Sequence, residues 1–568
     1  MYTDVSATVR LAERTDEDRP VILCEYSHSM NNSNGNLHLY WKEFWNPETP
    51  RLQGGYIWDM IDQGLRKKNA KGREFFAYGG DFGDVINDRQ FCINGMFSPD
   101  REPHPSVAEI KYLMQPVNIC VTEPDAARLH LRVSGDKIDP VSFRIENRYT
   151  FRDLSHLSWN WQLVCDRLKS PLLEGTGKSE MDLLSTLDLS AAVKKLREIE
   201  ELKSSNLGCT YLLNIQGVLK VKQTWVESGH ELVSKQFPVD FTFEDITKPS
   251  SVPSSLIDQV HGPLSVWIST DANSIQVSRG DAAPFVGIDK TTGGINYIQW
   301  KDTNIFHGRG IQPNFTRATT DNDRGGMELV LAFMKLNWAK PLFLLFEGMD
   351  NFSHNLRWEM RGLSHDAPPK LVCNDVSVTK EDPDLVTIEA KCSIVSARKR
   401  NLFEKTITYG IHRNGRIHVS YRIVPSDFLR TIPSLPRVGI SMEVDPGLYN
   451  IQYYGRGPYE NYPDRKAGSH MGLWETTPLE MGYDYIVPSE NGSRSDCEWI
   501  AFGSRSGGEG MLVVAEAGNS FSCSALLHSV DELHHAEHTC DLDARENGKH
   551  PIHVNIDHQL MGVGGDVR

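Results

Sequence analysis

No apolar run in this 568-residue chain reaches the roughly 18 residues that a membrane helix needs. Basic residues are in the minority, 60 Lys and Arg against 75 Asp and Glu, and they form no stripe. Binding to a nucleic-acid backbone is therefore not expected. Cysteine is sparse, with 10 residues and no C-x-x-C pair. That argues against a disulfide scaffold and for reduced thiols in the cytoplasm. The opening residues lack a basic head followed by an apolar stretch, so no signal peptide is expected. A chain this long exceeds what one core organises, and about three domains are expected.

What is present begins with Pro20 to Met30, P-V-I-L-C-E-Y-S-H-S-M. Val21 to Cys24 form a short apolar run that reads as a parallel-sheet strand buried on both faces. Polarity then switches at Glu25, and barrel enzymes place their chemistry at such strand ends. The polar loop N-N-S-N-G-N follows. Leu37, Tyr40, Trp41 and Phe44 then recur at helical spacing. A second strand over Leu52 to Met60 ends in Trp58 and Asp59. Strand, helix, strand is a βα repeat. Only about two βα units fit before the pattern turns all-β near Gln115, whereas a complete (β/α)8 barrel takes roughly 250 residues. The first region is expected to be the tail of a barrel. Its next loop, Tyr78 to Gly95, is rich in Gly, Asp and Asn, oxygens suited to hard cations or sugar hydroxyls.

These blocks, E-Y-S-H-S-M-N-N-S at Glu25, R-L-Q-G-G-Y-I-W-D at Arg51 and Y-G-G-D-F-G-D-V-I-N-D-R-Q-F-C-I-N-G at Tyr78, have further counterparts downstream. They are F-T-R-A-T-T-D-N-D-R-G at Phe315, G-R-G-P-Y-E-N-Y-P-D-R at Gly455, P-S-E-N-G-S-R at Pro488 and V-N-I-D-H-Q-L-M-G-V-G-G-D at Val554. Together they resemble the C-terminal half of glycoside hydrolase family 2 β-galactosidases, the large bacterial lactase type. The resemblance implies hydrolysis of terminal non-reducing β-D-galactose by a retaining double displacement. Glu25 would be the nucleophile and Tyr2 its hydrogen-bond donor. His28, Trp58 and Asn94 would bind the sugar. The Phe91 carbonyl and Asn94 would hold sodium, and Asn87 a second magnesium. The family's acid/base glutamate and most of its magnesium ligands would lie upstream of Met1, which leaves one of the two carboxylates that a retaining mechanism needs. An isolated chain is therefore expected to be inactive. His553 stands where the family has a substrate-contacting tryptophan. The family's homo-tetramer, or a complementing N-terminal chain, is the implied partner. A non-catalytic carbohydrate-binding or complementing subunit is the alternative.

The expected architecture is thus multidomain: barrel fragment over residues 1–115, β-sandwich with linker over 116–258, and a large β-domain over 259–568. Period-2 segments in the second region read as an antiparallel sandwich, and the resemblance makes it immunoglobulin-like. For the third region the resemblance implies a supersandwich that stops short of the family's last strands. Asp245 to Ser255 reads as a linker. His534, Glu537 and His538 spell H-x-x-E-H, a pattern zinc peptidases use on a helix. Here the run reads as a surface loop, too short for such a helix. Arg317, Asp321, Asn322 and Asp323, with Glu460, Asn461, Asp464 and Arg465, read as paired charges that hold the domain together.

Overall fold

The structure is a computed structural model. It describes all residues except 1, 122–127, 167, 178–186, 203–209, 244–263, 269–272, 281, 301–302, 326–352, 506, 508–509, 544–548 and 565–568. The expected linker lies outside the described residues. The chain divides into two compact units, one of residues 1–109, 257–469 and 474–568 and another of 110–256 and 470–473.

The first unit opens with helix α1 (Val5–Ala12), whose first turn is capped by the Asp4 carboxylate accepting from the Ala7 N–H at 2.8 Å. Strand β1 (Val21–Tyr26), helix α2 (Leu37–Phe44) and strand β2 (Leu52–Ile57) follow. The two strands pair in parallel, with Leu23 opposite Gly55 and Tyr26 opposite Ile57. Gly55 is required there, because a Cβ would lie 2.7 Å from that of Leu23. Helix α2 covers the pair through an aromatic cluster in which Tyr26 lies 5.4 Å from Tyr40 and 5.6 Å from Phe44. Among the described residues β1 pairs with β2 alone. Ile22 is consequently 53% exposed and Cys24 is open to solvent. The expectation of a strand buried on both faces fails here, since neither a second neighbour nor a second layer covers these side chains. A hairpin of β3 (Leu65–Lys68) and β4 (Glu74–Ala77) leads into the Gly- and Asp-rich loop.

The β part of this unit is built on alternation. Strand β5 (Gln312–Asn314) is followed by β6 (Lys370–Glu381), β7 (Leu385–Val395), β8 (Asn401–His412), β9 (Ile417–Pro425), β10 (Arg437–Val444), β11 (Arg494–Cys497), β12 (Phe521–Leu526) and β13 (Ile552–Leu560). Strands β6 to β9 form an antiparallel sheet in chain order, and β5, β10, β13, β12 and β11 another in that order. A further sheet runs from Leu264 to Asn304. Their inward residues, among them Val277, Ile288, Val386, Ile388, Tyr409, Val444 and Val554, share one apolar core.

In the second unit the six-stranded sheet is centred on residues 157–165, 211–219 and 231–243, around the fully buried Trp159. It departs from the expected antiparallel pattern at one place. Residues 239–243 pair in parallel with 129–133. A period of two is common to both pairings, so alternation alone does not reveal strand direction.

Candidate active site

The residues singled out near the start of the chain converge. Tyr40 donates its hydroxyl to the Thr3 carbonyl at 2.7 Å, which fixes the N-terminal stretch against α2. The Tyr2 N–H donates to the Glu25 carbonyl at 3.2 Å. The Tyr2 ring meets His28 edge-on at 5.8 Å. On its other side His28 faces Phe91 at 5.9 Å and the Asn94 amide at 3.5 Å. Trp58 joins through the backbone. Its carbonyl accepts from the Ser29 N–H at 2.7 Å, and the next N–H, of Asp59, donates to the Asn94 carbonyl at 2.6 Å. Glu25 at the end of β1 is half-buried and acts electrostatically on His28. Trp58 is 40% exposed, so its ring offers an open apolar face.

Burial pushes the His28 imidazolium down, opposed by the negative charges of Asp321 and Glu25. A neutral imidazole suits a group that exchanges hydrogen bonds with hydroxyls. The His28 Nδ1 and Asn94 Oδ1 are both buried without a hydrogen-bond partner among the described residues. Buried polar atoms of this kind want a partner, and a bound ligand supplies one. The other carboxylates here have structural employment. Asp62 accepts from the Gly95 N–H at 2.7 Å and faces His104 at 3.1 Å. Asp59 accepts from Gln63 at 3.0 Å, and burial raises its carboxyl.

The loop from Ser27 to Asn36 does not behave as a plain polar loop. Ser27, Asn31, Asn34 and Asn36 all take positive φ, between 47° and 62°. Asparagine tolerates that conformation, which explains the Asn-rich composition. Almost every residue from Ser27 to Asn34 is buried. Its amides are held by the β part of the unit. The Asp321 carboxylate accepts from Asn31 Nδ2 at 2.7 Å and from Gln90 Nε2 at 3.0 Å. Asn32 donates to the Tyr462 hydroxyl at 3.0 Å and to the Glu490 carbonyl. Arg465 donates to the Ser33 carbonyl, and the Asn36 N–H to that of Asp464 at 2.7 Å. Beneath these lie buried ion pairs: Arg317 with Asp323 at 2.7 Å, Arg465 with Glu460 at 2.8 Å, and Arg437 with both Glu490 at 2.6 Å and Asp557 at 3.1 Å. One guanidinium between two buried carboxyls leaves excess negative charge, and burial pushes Asp557 up to about 7.

The H-x-x-E-H stretch departs from expectation. Helix α3 (Val530–His535) forms there, started by a capping box of Ser529 and Glu532. That S-x-x-E signal was legible in the sequence. Glu537 pairs with Arg89 at 2.8 Å, His538 with Asp81 at 2.9 Å, and the Tyr78 hydroxyl donates to the Glu537 carbonyl at 2.6 Å. The stretch clamps the Gly- and Asp-rich loop. Among the described residues, no group of three or more His, Cys, Asp and Glu is arranged to hold a metal.

Two candidate residues fall elsewhere. His553 lines a separate cavity of about 180 Å³ on the sheet of β5, β10 and β13, beside Glu443 at 4.0 Å. Asn87 spends its amide inside its own loop, donating to the Asp84 carbonyl at 2.9 Å and accepting from the Arg89 N–H at 3.0 Å. The two residues expected to hold sodium lie together. Asn94 Nδ2 lies 3.0 Å from the Phe91 carbonyl, and rotating the amide would turn its orphaned oxygen to that position.

Residues 282–567, just over half of the chain, match the family model described as "Beta galactosidase small chain". The chain belongs to the β-galactosidase family. Residues 1–119 match "Glycosyl hydrolases family 2, TIM barrel domain" and residues 143–240 "Beta-galactosidase, domain 4". Among curated relatives, the β-galactosidase of Vibrio cholerae serotype O1 is 31% identical and that of Photobacterium profundum 30%, each over 97% of this chain and 46% of the relative. The Oenococcus oeni enzyme is 29% identical over the same shares. The chain spans about half the length of the curated relatives it matches.

Proposed function

We propose that this chain carries the nucleophile side of a retaining β-galactosidase site. The observation that carries the reading is the convergence of Tyr2, His28, Phe91, Asn94 and Trp58 about the strand end that bears Glu25. In the double displacement the Glu25 carboxylate attacks the anomeric carbon of a terminal β-D-galactoside, forming a glycosyl-enzyme that water then cleaves. His28 and Asn94 take sugar hydroxyls, and Trp58 packs against the ring face. Asn94 and the Phe91 carbonyl would hold a monovalent cation such as sodium, whose charge orients a hydroxyl oxygen. Asp59 and Asp62 are committed to Gln63 and to Gly95 and His104; the family resemblance implies that the acid/base carboxylate is supplied by the barrel segment that would precede Met1. The isolated chain then has little turnover.

The open β1–β2 pair supports a second reading for the free polypeptide, a subunit completed by a chain that supplies the remaining barrel strands. Exposed Ile22 and Cys24 lie on the uncovered strand. We assign residues 116–258 to an immunoglobulin-like spacer and 259–568 to a supersandwich, with a tetramer as the family's assembly. The test is an aryl β-galactoside assay of the chain alone and mixed with a polypeptide spanning the missing half. Restored turnover that Glu25→Gln abolishes, with a 2-fluoro-galactosyl label on Glu25, supports the assignment. Restored turnover unaffected by Glu25→Gln sinks it.

A further inference from the structure

Three side chains with their own chemistry lie in a row across β6, β7 and β8, away from the site above. Cys373 is directly opposite Cys392, and Cys392 directly opposite Lys405. The two sulfurs are 3.6 Å apart. The Cys373 N–H donates to the Thr291 carbonyl at 3.2 Å instead of to its cross-strand partner. The pair is therefore of the non-hydrogen-bonded kind, in which opposed side chains approach closest. Both sulfurs sit over Gly293, where a Cβ would come within 2.8 Å of the Cys392 sulfur and 3.0 Å of the Cys373 sulfur. Cys373 is half-buried and reachable from solvent, whereas Cys392 and Lys405 are buried. Among the described residues no hydrogen bond occupies the Lys405 amine, whose charged or titratable neighbours are these two cysteines, with the Tyr421 ring at 5.9 Å.

The geometry points to a modification site: Cys373 reacts with a hydroperoxide, and Cys392 then closes a cross-strand disulfide with Lys405 accepting its proton. In the first step the Cys373 sulfur attacks the peroxide O–O bond, giving a sulfenic acid and one water. In the second the Cys392 sulfur attacks the sulfenic sulfur. The S–O bond breaks, and the hydroxyl leaves as water with a proton. Two thiols and one hydrogen peroxide become one disulfide and two waters. The assignment of steps follows access and charge. Only Cys373 meets the oxidant. Burial holds the Cys392 thiol up, to about 12, so it needs a base. Burial also brings the Lys405 ammonium down to about 8, so part of it is a neutral amine near neutral pH. A directly opposed pair needs little backbone movement to close, because Cβ atoms across such a rung already lie near disulfide range.

A built-in comparison exists. Cys497 and Cys523 are 3.5 Å apart and both almost fully buried, and among the described residues the cation that acts on Cys497 is Arg494, which cannot serve as a base, rather than a lysine. The experiment treats the folded 568-residue chain with hydrogen peroxide, blocks free thiols with N-ethylmaleimide, and maps peptides by mass spectrometry with and without dithiothreitol. The expected product joins Cys373 to Cys392, is reversed by dithiothreitol, and leaves Cys497 and Cys523 reduced. Lys405→Met should slow closure at least about tenfold and let dimedone trap the sulfenic acid at Cys373. Cys392→Ser should trap it as well. The inference is overturned if Cys373 runs on to sulfinic acid without a link, if Cys497 and Cys523 link as readily, or if the Lys405 variant closes at the parent rate.

Discussion

Replacing Asp321 by alanine tests whether the loop that follows Glu25 is held from the β part of the chain. One buried carboxylate accepts from Asn31 at 2.7 Å and from Gln90 at 3.0 Å. The first donor lies three residues past His28, the second just before Phe91. Each charge-assisted bond is worth roughly 1.5–3 kcal/mol, and removing the acceptor leaves two buried amides without it. Asp321→Ala should therefore cost about 3–5 kcal/mol in urea unfolding. Asp321→Asn should cost less, since its oxygen can still accept from one donor. The decisive measurement is a double-mutant cycle with Asn31→Ala. If both act through this contact, the pair should fall short of additivity by about 1–3 kcal/mol. In the complemented enzyme the same variant should raise KM for an aryl galactoside, because His28 and Asn94 lose their common support. Additive stability losses, or an unchanged KM, would refute the reasoning.

Asp557→Asn should change the pH dependence of stability. The folded carboxyl titrates near 7 against an ordinary 3.8, so the folded state binds the proton more tightly, and stability is lost as pH rises from about 4 to 7. The difference is on the order of 4 kcal/mol. Urea curves at pH 4.5 and 8 should show the parent falling relative to the variant; parallel behaviour would count against it. Gly95→Ala should displace Asn94 from the Phe91 carbonyl, since a Cβ would lie 2.1 Å from the Asp62 nitrogen. Binding of a galactose analogue, followed by calorimetry in the complemented enzyme, should disappear, and unchanged affinity would contradict the placement. Ser529→Ala removes the cap of the helix that leads into Glu537 and His538 and should cost about 1 kcal/mol by thermal unfolding. No change in Tm would mean that the helix is held by its other contacts.

Local signals were legible in the sequence. The apolar run before Glu25, the helical spacing of Leu37 to Phe44, and the Asp-Asn-Gly loop all depend on neighbours within a few residues, and the motif blocks carried the family. Strand direction in the second unit was not legible, because alternation has the same period in either sense. Nor was the exposure of Ile22 and Cys24, which depends on which strands lie alongside. The largest surprise is the stretch Ser27 to Asn36. Its composition is that of a solvated turn, yet it is among the most buried in the chain. Asn31, Asn32 and Ser33 find their partners 290, 430 and 432 residues away, in Asp321, Tyr462 and Arg465. Sequence by itself determined which groups could ionise, donate or accept. Only the tertiary structure decided which of them meet, because a buried amide is stable only where a distant acceptor is brought to it.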